Sequence, residues 1–374
     1  MDLLVPPHLI RSIWDERMKK NIKLKVLLWL CSSLCSLLVA GLGWILINHY
    51  QKHINMPLHP LVGNKPSSVE ALQEHGLPFS FLVIGDLHSS ETGEDLIEIA
   101  SPKGNPSFMV ILGDFVRHPD VWHHRFFLTE MIQHLQLSFP VFLVSGNHDM
   151  DYPSSKIKQS EDRVTPEVYE SFYGPLNFDF TFNNCLFIIC GFKRKDNYSY
   201  FGYLRDTLQK KGEGKKYIFV FIHIPPKGLI QRTEPSSPQE EELYSLLETY
   251  RVNTCFFGHR HGYLRIQRKN VSYVISAGGG GTPRRDDDFR KENFYHMLRV
   301  NVDGEKVTEE IVPFMKTTSI ESLYEEWFFT RVLQIISKRV IVLYLLSVLF
   351  LLWGVYSCYK FSMYSSKKRA EISK

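Results

Sequence analysis

The sequence predicts an α/β layered domain held between two apolar segments that are long enough to cross a membrane. Short apolar runs rich in Phe, Val and Ile alternate with segments of helical spacing, which is typical of layered α/β domains. Residues 26–47 and 340–359 carry no charged side chain. Asp, Asn and His residues follow directly where several apolar runs end. Together these features indicate a membrane-anchored domain with a single chemical centre.

The central part of the chain supplies the elements of the α/β domain. Strands are predicted at residues 79–84, 108–112, 141–144, 186–189, 217–222 and 254–257, and helices near residues 92–100, 121–137, 165–173, 201–211 and 237–250. Thr165 and Ser237 each precede a proline, which predicts a capped helix start at both places. Residues 263–313 have the pattern of consecutive strands, so we expect a second sheet packed on the first.

Both uncharged segments are long enough to cross a hydrocarbon core of about 30 Å as helices. The alternative for the first is a cleaved signal peptide, but its 22 uncharged residues exceed the ~7–15 apolar residues of such a peptide. Lys and Arg cluster before residue 26 and after residue 359, which predicts cytoplasmic termini and an extracytoplasmic domain. Arg331, Lys338 and Arg339 precede the second span and oppose this orientation.

These features divide the chain into seven parts. They are a basic cytoplasmic tail (1–25), a transmembrane helix (26–47), a proline-containing linker (48–78), the globular domain (79–315), an amphipathic juxtamembrane helix (316–339), a second transmembrane helix (340–359) and a basic cytoplasmic tail (360–374). The amphipathic segment either packs on the domain or lies at the membrane interface, and its sequence favours neither arrangement.

Charge and cysteine content argue against a nucleic-acid-binding protein and against a disulfide framework. The net charge is +4 and no dense stripe of Lys and Arg is present, so we expect no nucleic-acid partner. Cys185 and Cys190 fall in one predicted strand, with backbones ~16 Å apart, too far for a disulfide. We therefore predict buried free thiols, with a bridge from Cys255 as the alternative.

Five short motifs supply candidate metal ligands. Carboxylates and imidazoles bind divalent first-row metals, and two adjacent metals can hold both the attacking and the leaving oxygen of a phosphate ester. Because each motif follows an apolar run, we expect them to converge at one edge of the sheet. The paired motifs have i, i+2 spacing, which in extended backbone points both side chains the same way. The motifs are Asp86-Leu87-His88, Gly113-Asp114, Gly146-Asn147-His148-Asp149, His223 and Gly258-His259-Arg260-His261.

On these motifs, residues 79–312 resemble the calcineurin-like metallophosphoesterase superfamily. The resemblance implies two mixed β-sheets sandwiched between helices and two bound divalent metals bridged by Asp114. It implies that His148 protonates the leaving oxygen or stabilises the developing charge, and that Asp149 orients His148. The implied ligands are Asp86, His88, Asp114 and His261 for one metal, and Asp114, Asn147, His223 and His259 for the other.

One departure from the family bears on the metal. In the purple acid phosphatases a tyrosine follows the bridging aspartate by three positions, whereas this chain has Arg117 there. The resemblance therefore implies a divalent pair, manganese, iron or zinc, rather than a tyrosinate-bound ferric ion.

Three stretches around the motifs could shape a substrate pocket. Arg284 and Arg285 are candidate phosphate-binding residues, with a solvated loop as the alternative. His118, His123 and His124 form a weaker metal candidate. Residues 227–239 are either a lid or a surface loop.

The leading hypothesis is a membrane-anchored hydrolase of phosphate mono- or diesters that uses metal-activated water. Anchoring by two spans suits a lipid or envelope component as substrate. One alternative is a membrane-tethered receptor or scaffold whose metal site is structural. Another is a nuclease, which the absence of a basic groove in the sequence opposes.

Overall fold

The computed structural model describes residues 7–54, 59–101, 105–150, 162–193, 198–230, 236–282, 294–315 and 320–372. The chain divides into two units, one formed by Pro57–Thr330 and the other by the two terminal segments, Met1–Met56 and Arg331–Lys374. The strands are β1 (Phe79–Ile84), β2 (Met109–Ile111), β3 (Val141–Leu143), β4 (Phe178–Phe182), β5 (Cys185–Cys190), β6 (Tyr217–Ile222), β7 (Thr254–Phe257), β8 (Tyr263–Arg268), β9 (Val271–Ser276), β10 (Tyr295–Val302) and β11 (Val307–Phe314).

The helices follow the predicted order. They are α1 (Pro7–Ile54), α2 (Pro66–Glu70), α3 (Glu91–Ala100), α4 (Val121–Phe126), α5 (Pro166–Tyr173), α6 (Phe201–Lys211), α7 (Lys227–Ile230), α8 (Pro238–Thr249), α9 (Ile320–Trp327) and α10 (Leu333–Ile372), with π-helical stretches at Phe127–Gln133 and Phe328–Val332. Both predicted caps are present. Thr165 accepts a hydrogen bond from the Val168 N–H, and Ser237 forms a capping box with Glu240.

Two mixed sheets form the larger unit, which confirms the predicted fold class. The first has the order β11-β10-β1-β2-β3, in which β1, β2 and β3 are parallel and β10 and β11 are antiparallel. The second has the order β4-β5-β6-β7-β9-β8, with a parallel centre and antiparallel edges. The parallel strands point their carboxyl ends the same way, so the loops that follow them lie together.

The structure corrects the interpretation of residues 263–313. They do not form a sheet of their own, because β8 and β9 extend the second sheet while β10 returns to pair with β1 of the first. The sequence also gave no prediction for β4, an edge strand. Its alternation of Phe with Asp179 and Thr181 is the period-two signal that would have found it.

A layer of phenylalanine rings joins the facing surfaces of the sheets. Phe81 of β1 lies 5.5 Å from Phe187 of β5 and 5.3 Å from Phe219 of β6, measured between ring centroids, in edge-to-face geometry. Phe108, just before β2, lies 5.0 Å from Phe187. These rings are fully buried, and helices cover the outer face of each sheet. The inter-sheet layer therefore fixes how the two sets of loops face each other.

Part of the segment predicted as a linker packs on the domain. Val62 forms a parallel β-bridge with Val141, and the side chain of Asn64 donates a hydrogen bond to the Leu143 carbonyl at 2.8 Å. The Asn64 amide oxygen accepts from the Leu143 N–H at 3.0 Å. This short stretch adds a bridge beside β3 because its backbone groups complete the edge of the sheet. Residues 55–58 lie outside the described part of the chain.

The unit formed by the terminal segments contains two helices that are long and apolar enough to cross a membrane. The qualifying spans are Val26–Asn48 and Leu323–Met363, and the first eight residues of the second span belong to the larger unit. α1 and α10 approach closely where Gly43 faces Ser347, and the Trp353 indole donates a hydrogen bond to the Ser32 hydroxyl at 3.3 Å. α10 is kinked at Arg339, which has non-helical dihedral angles. The kink coincides with the predicted start of the second apolar span at residue 340.

The cysteines of the domain are free and buried, as predicted. Burial raises the pKa of the Cys255 thiol well above its usual value, which makes it a poor nucleophile.

Candidate metal centre

The predicted motifs meet at the carboxyl ends of five parallel strands. The loops after β1 and β2 are tied together by backbone hydrogen bonds, because the Asp86 N–H donates to the Gly113 carbonyl and the His88 N–H donates to the Asp114 carbonyl, both at 3.0 Å. His223 follows β6, and His259 and His261 follow β7 of the second sheet. Side chains from both sheets therefore reach one place.

One group of donor atoms comes from Asp86, His88 and His261. Their ligand atoms all lie within 4.8 Å of one another. His261 Nε2 is 3.4 Å from Asp86 Oδ1 and 3.4 Å from His88 Nε2. His261 Nδ1 lies 2.7 Å from the Thr282 carbonyl, to which it donates, so Nε2 is left to face the group.

A second group comes from Asp114, His223 and His259, whose ligand atoms also lie within 4.8 Å of one another. His223 Nε2 is 3.4 Å from Asp114 Oδ2 and 3.0 Å from the amide oxygen of Asn147. His223 Nδ1 donates to the Leu112 carbonyl at 2.8 Å, which again turns Nε2 inward. The amide oxygen of Asn147 thus adds a neutral donor to this group.

The donor chemistry fits a cation in the first group. Asp86 is buried, and its Oδ1 makes no hydrogen bond of ordinary geometry with any described residue. A buried carboxylate oxygen without a donor is costly unless a positive charge compensates it. Across the two groups there are two carboxylates and four imidazoles, which is a ligand set suited to divalent first-row metals.

Burial and charge tune the imidazoles in opposite directions. Burial lowers the pKa of His88 to about 3, so its ring is neutral at physiological pH and ready to donate a lone pair. For His223, burial alone would lower the pKa, but the adjacent Asp114 carboxylate outweighs it and raises the pKa to about 9. The same pairing with His223 lowers the pKa of Asp114 against the effect of its own burial. A metal in the second group would replace the proton on His223.

His148 lies at the rim of the first group but is not part of it. Its ring centroid is 5.0 Å from that of His88, and its Nδ1 lies 2.9 Å from the Arg117 carbonyl. The Nδ1–H donates to this carbonyl, which leaves Nε2 directed away from Arg117. The backbone N–H of His148 donates to Asp114 Oδ1 at 2.7 Å. His148, in the loop after β3, is thus held by a backbone carbonyl and a carboxylate that both belong to the loop after β2.

The hydrogen bonds of Asp149 differ from the one that the resemblance implied. Its carboxylate accepts hydrogen bonds from the N–H groups of Gly146 (2.7 Å), Asp114 (2.8 Å) and Val116 (3.3 Å), and no described contact joins it to His148. The correction follows from burial, because an enclosed carboxylate satisfies its lone pairs with the nearest unpaired backbone donors. Asp149 therefore holds the loops after β2 and β3 in register, while the Arg117 carbonyl orients His148. Burial and the neighbouring Asp114 raise the pKa of Asp149 to about 8.

The predicted geometry of the paired motifs also needs correction. Asp86, His88 and His259 have φ angles of 59°, 50° and 66°, so these loops are left-handed turns rather than extended backbone. Asp86 and His88 still converge on the same group, but His259 joins the second group while His261 joins the first. Left-handed backbone at non-glycine residues is a strained conformation that concentrates at functional sites.

Gly113 is required beside the second group. Its φ is +93°, and a Cβ placed there would lie 2.6 Å from His223 Nδ1. A side chain at this position would push His223 away from Asp114. The Gly-Asp motif thus carries a packing requirement in addition to its carboxylate.

The remaining candidate residues fall outside the two groups. His123 Nδ1 lies 2.8 Å from Asp120 Oδ2, while His124 contacts the Tyr173 hydroxyl (2.9 Å) and the Asp149 carbonyl (2.8 Å). The ring of His118 packs against that of His123. The weaker prediction of a metal role for these three histidines finds no support in their described contacts. Arg284 and Arg285 lie outside the described residues. So do residues 231–235 of the segment 227–239, which was predicted to be a lid or a surface loop.

Sequence reasoning missed the groups that orient the ligands. Three backbone carbonyls, those of Leu112, Arg117 and Thr282, accept from imidazole Nδ1 atoms, and a carbonyl leaves no signal in a sequence. The sequence singled out His124 only as a weak metal candidate, whereas its ring contacts the Asp149 carbonyl of the motif loop.

Fold and donor geometry together define a two-sheet domain of the metallophosphoesterase type with two groups of candidate metal ligands. The profile of the calcineurin-like phosphoesterase family matches residues 79–263, and this chain carries a domain of that family. Purple acid phosphatase 23 of Arabidopsis thaliana is 24% identical over 250 residues, which cover 61% of this chain and 52% of that protein. A purple acid phosphatase from yellow lupin (Lupinus luteus) seeds superimposes with a TM-score of 0.51 at 12% identity, covering 64% of this chain and 52% of that one. The chain thus spans about half the length of these relatives, and the lupin structure supports the fold alone.

Proposed function

We propose that this protein is a membrane-anchored, metal-dependent hydrolase of phosphate mono- or diesters. The observation that carries the proposal is the pair of adjacent donor groups, Asp86–His88–His261 and Asp114–His223–His259, with the oriented ring of His148 at their rim. Two divalent ions bound there would activate a water molecule and neutralise the charge of a phosphate in displacement.

Each residue has a part in this proposal. Asp86, His88, Asp114 and His261 would hold one ion, and Asp114, Asn147, His223 and His259 would hold the other. His148 turns Nε2 toward the substrate side, where it donates a proton to the leaving oxygen or a hydrogen bond to the phosphate. The Arg117 carbonyl fixes the tautomer of His148, because it accepts from Nδ1–H. Arg117 occupies the position of the purple acid phosphatase tyrosine, so we propose manganese, iron(II) or zinc as the pair.

A structural metal site in a receptor or scaffold is the second candidate. The orientation of His148 opposes it, because a purely structural site has no use for an imidazole that is positioned at its rim without binding the metal. A nuclease is disfavoured by the near-neutral charge of the chain.

We further propose that both spans lie in a membrane, with cytoplasmic termini and an extracytoplasmic domain. Only 28% of the most apolar stretch of the first span, and 11% of that of the second, is buried within the protein. Large side chains such as Leu38, Ile45 and Leu352 are exposed, which suits lipid and not water. The excess of Lys and Arg in the two tails supports the orientation. Proteolysis of sealed spheroplasts should cut the domain, and full protection until lysis would reverse the orientation.

The test uses the full chain purified in detergent. We expect about two equivalents of divalent metal and turnover of an aryl phosphate ester. His148→Ala should retain the metal and lose at least ~100-fold in kcat, the usual range for a general acid. Asp114→Asn should lose both metal and activity. The exposed Asp206→Asn serves as the matched carboxylate control and should change neither.

Two results would contradict the proposal. If His148→Ala and Asp114→Asn keep wild-type rates with metal present, the chemistry is assigned to the wrong residues. If the wild-type protein binds metal but turns over none of a set of aryl, nucleotide and phospholipid esters, the scaffold candidate replaces the enzyme.

A further inference from the structure

Helix α9 presents two different faces. Glu326 is 14% exposed, and Phe329 and Thr330, just beyond the helix, are buried. The ring of Phe329 lies 5.5 Å from that of Phe126 in edge-to-face geometry. This face is packed on the domain, in the manner of an ordinary surface helix.

The other face of α9 is apolar and exposed. Ile320, Leu323, Tyr324 and Trp327 have the i, i+3, i+4, i+7 spacing of a single helical stripe. Their exposed fractions are 87%, 52%, 59% and 55%. A soluble protein rarely leaves so continuous an apolar stripe in water.

The length and charge pattern of the candidate span favour a lipid bilayer as the surface that covers this stripe. Leu323–Met363 has 41 residues, which as a helix is about 60 Å long, twice the ~30 Å of a hydrocarbon core. Arg331, Lys338 and Arg339 and the kink at Arg339 divide it from the uncharged stretch 340–359. With the uncharged stretch 340–359 in the hydrocarbon core, as proposed above, the charged residues before residue 340 lie outside that core.

Its side chains match the membrane interface. Tyr324, Trp327 and Phe328 form an aromatic group, with ring centroids 6.0–6.1 Å apart, and aromatic side chains concentrate at the headgroup level of bilayers. The basic residues that follow suit anionic headgroups. An amphipathic helix of this composition lies in the interface plane with its apolar side inserted.

The packed face of α9 is connected to the metal centre. Glu326 forms an ion pair with the guanidinium of Arg117 at 3.2 Å. Arg117 lies three residues after Asp114, and its carbonyl orients His148. A single residue thus contacts both α9 and the side chain proposed to protonate the leaving group.

We propose that the apolar face of α9 docks on the lipid bilayer and holds the rim of the metal centre beside the headgroups, so that the substrate is a phosphate ester carried by a membrane lipid. The substrate assignment rests on the proposed hydrolase function, whereas the docking of α9 does not. The Arg117–Glu326 pair keeps the rim next to the docked helix.

Docking is tested with the full chain reconstituted in lipid vesicles, after Cys31, Cys35 and Cys358 are replaced by Ser. An environment-sensitive fluorophore is attached at Leu323→Cys, and at Ile99→Cys as the control, because Ile99 is also an exposed apolar residue (40%) but lies on α3. We expect lipids with spin-labelled chains to quench the label at position 323 and not at position 99. Equal, weak quenching at both positions would overturn the proposal. So would shielding at position 323 that grows with protein concentration in detergent, because a second copy would then be the occupant.

The substrate class is tested with Leu323→Glu and the control Ile99→Glu. Leu323→Glu should lower turnover of a phosphatidic or lipid-diphosphate ester in the vesicles at least ~10-fold and leave that of a water-soluble aryl ester within about twofold. Ile99→Glu should change neither rate. An equal fall with both esters would overturn the proposal, because α9 would then support the fold alone. If the metal-loaded wild-type protein hydrolyses no ester, the hydrolase function fails, and the fluorescence result still decides the docking.

Discussion

Replacing Asp149 separates two interpretations of the Gly-Asn-His-Asp motif. The Asp149 carboxylate accepts from three buried N–H groups, those of Asp114, Val116 and Gly146. Asp149→Ala leaves these donors without partners, and each unsatisfied buried donor costs about 1–3 kcal/mol. We therefore expect the free energy of unfolding to fall by about 4 kcal/mol. For a domain of this size that is roughly 8–16 °C in Tm.

The assay is thermal and urea unfolding of the metal-free full chain in detergent, followed by metal titration. The loops that lose their hydrogen bonds to Asp149 carry Asp114 and Asn147, so the Asp149→Ala protein should also bind metal at least ~10-fold more weakly. Asp206→Ala is the control, since Asp206 forms only an exposed pair with Lys210 and should change stability by less than about 0.5 kcal/mol. A variant with wild-type stability and metal affinity but a low kcat would refute our reasoning, since that pattern belongs to a residue that orients His148 directly.

Two further predictions concern packing beside the second group and the titration of His124, a buried residue next to the motif loops. Gly113→Ala should lower both the free energy of metal binding and the free energy of unfolding by at least ~2 kcal/mol, because its Cβ would collide with His223. The control Gly214→Ala (φ +74°, with no atom within 4 Å of the added Cβ) should show only the smaller cost of a positive φ. Similar losses in the two variants would contradict the collision. Burial lowers the pKa of His124 to about 4, below the unfolded value of 6.5, so the unfolded chain takes up a proton first and stability falls as the pH drops from 6.5 to 4. His124→Gln, which retains a donor and an acceptor, should reduce the loss of unfolding free energy between pH 7 and pH 4.5 by about 2–3 kcal/mol; identical urea midpoint shifts for both proteins would exclude His124 as the cause.

The sequence predicted the strands and the convergence of the motifs because both follow from local pattern. Apolar runs such as 79–84 and 217–222 are buried on both faces, and residues after parallel strands share an edge. The assignment of β10 to the first sheet depends instead on a long-range pairing, Phe79 with Val302, that no local pattern encodes.

The details of the centre were less accessible for a related reason. The family resemblance already implied that His259 and His261 serve different groups, but residue spacing does not reveal the left-handed backbone at His259 that accompanies this separation. The partner of His148 is a carbonyl, and the partners of Asp149 are N–H groups, so neither hydrogen bond has a sequence signature. Residue types thus predict which side chains meet, while backbone conformation decides how they are divided.

Both donor groups draw on both sheets, and this has a mechanical consequence. Asp86 and Asp114 follow strands of the first sheet, whereas His223, His259 and His261 follow strands of the second. An ion bound in either group would link the two sheets, which are otherwise joined by the layer of phenylalanine rings. Separating the two sheets would then require breaking coordination bonds. Bound metal should therefore lower the rate constant of unfolding more than it changes the rate constant of folding. The metal-loaded protein should accordingly survive protease treatment for longer than the protein whose metal has been removed by a chelator.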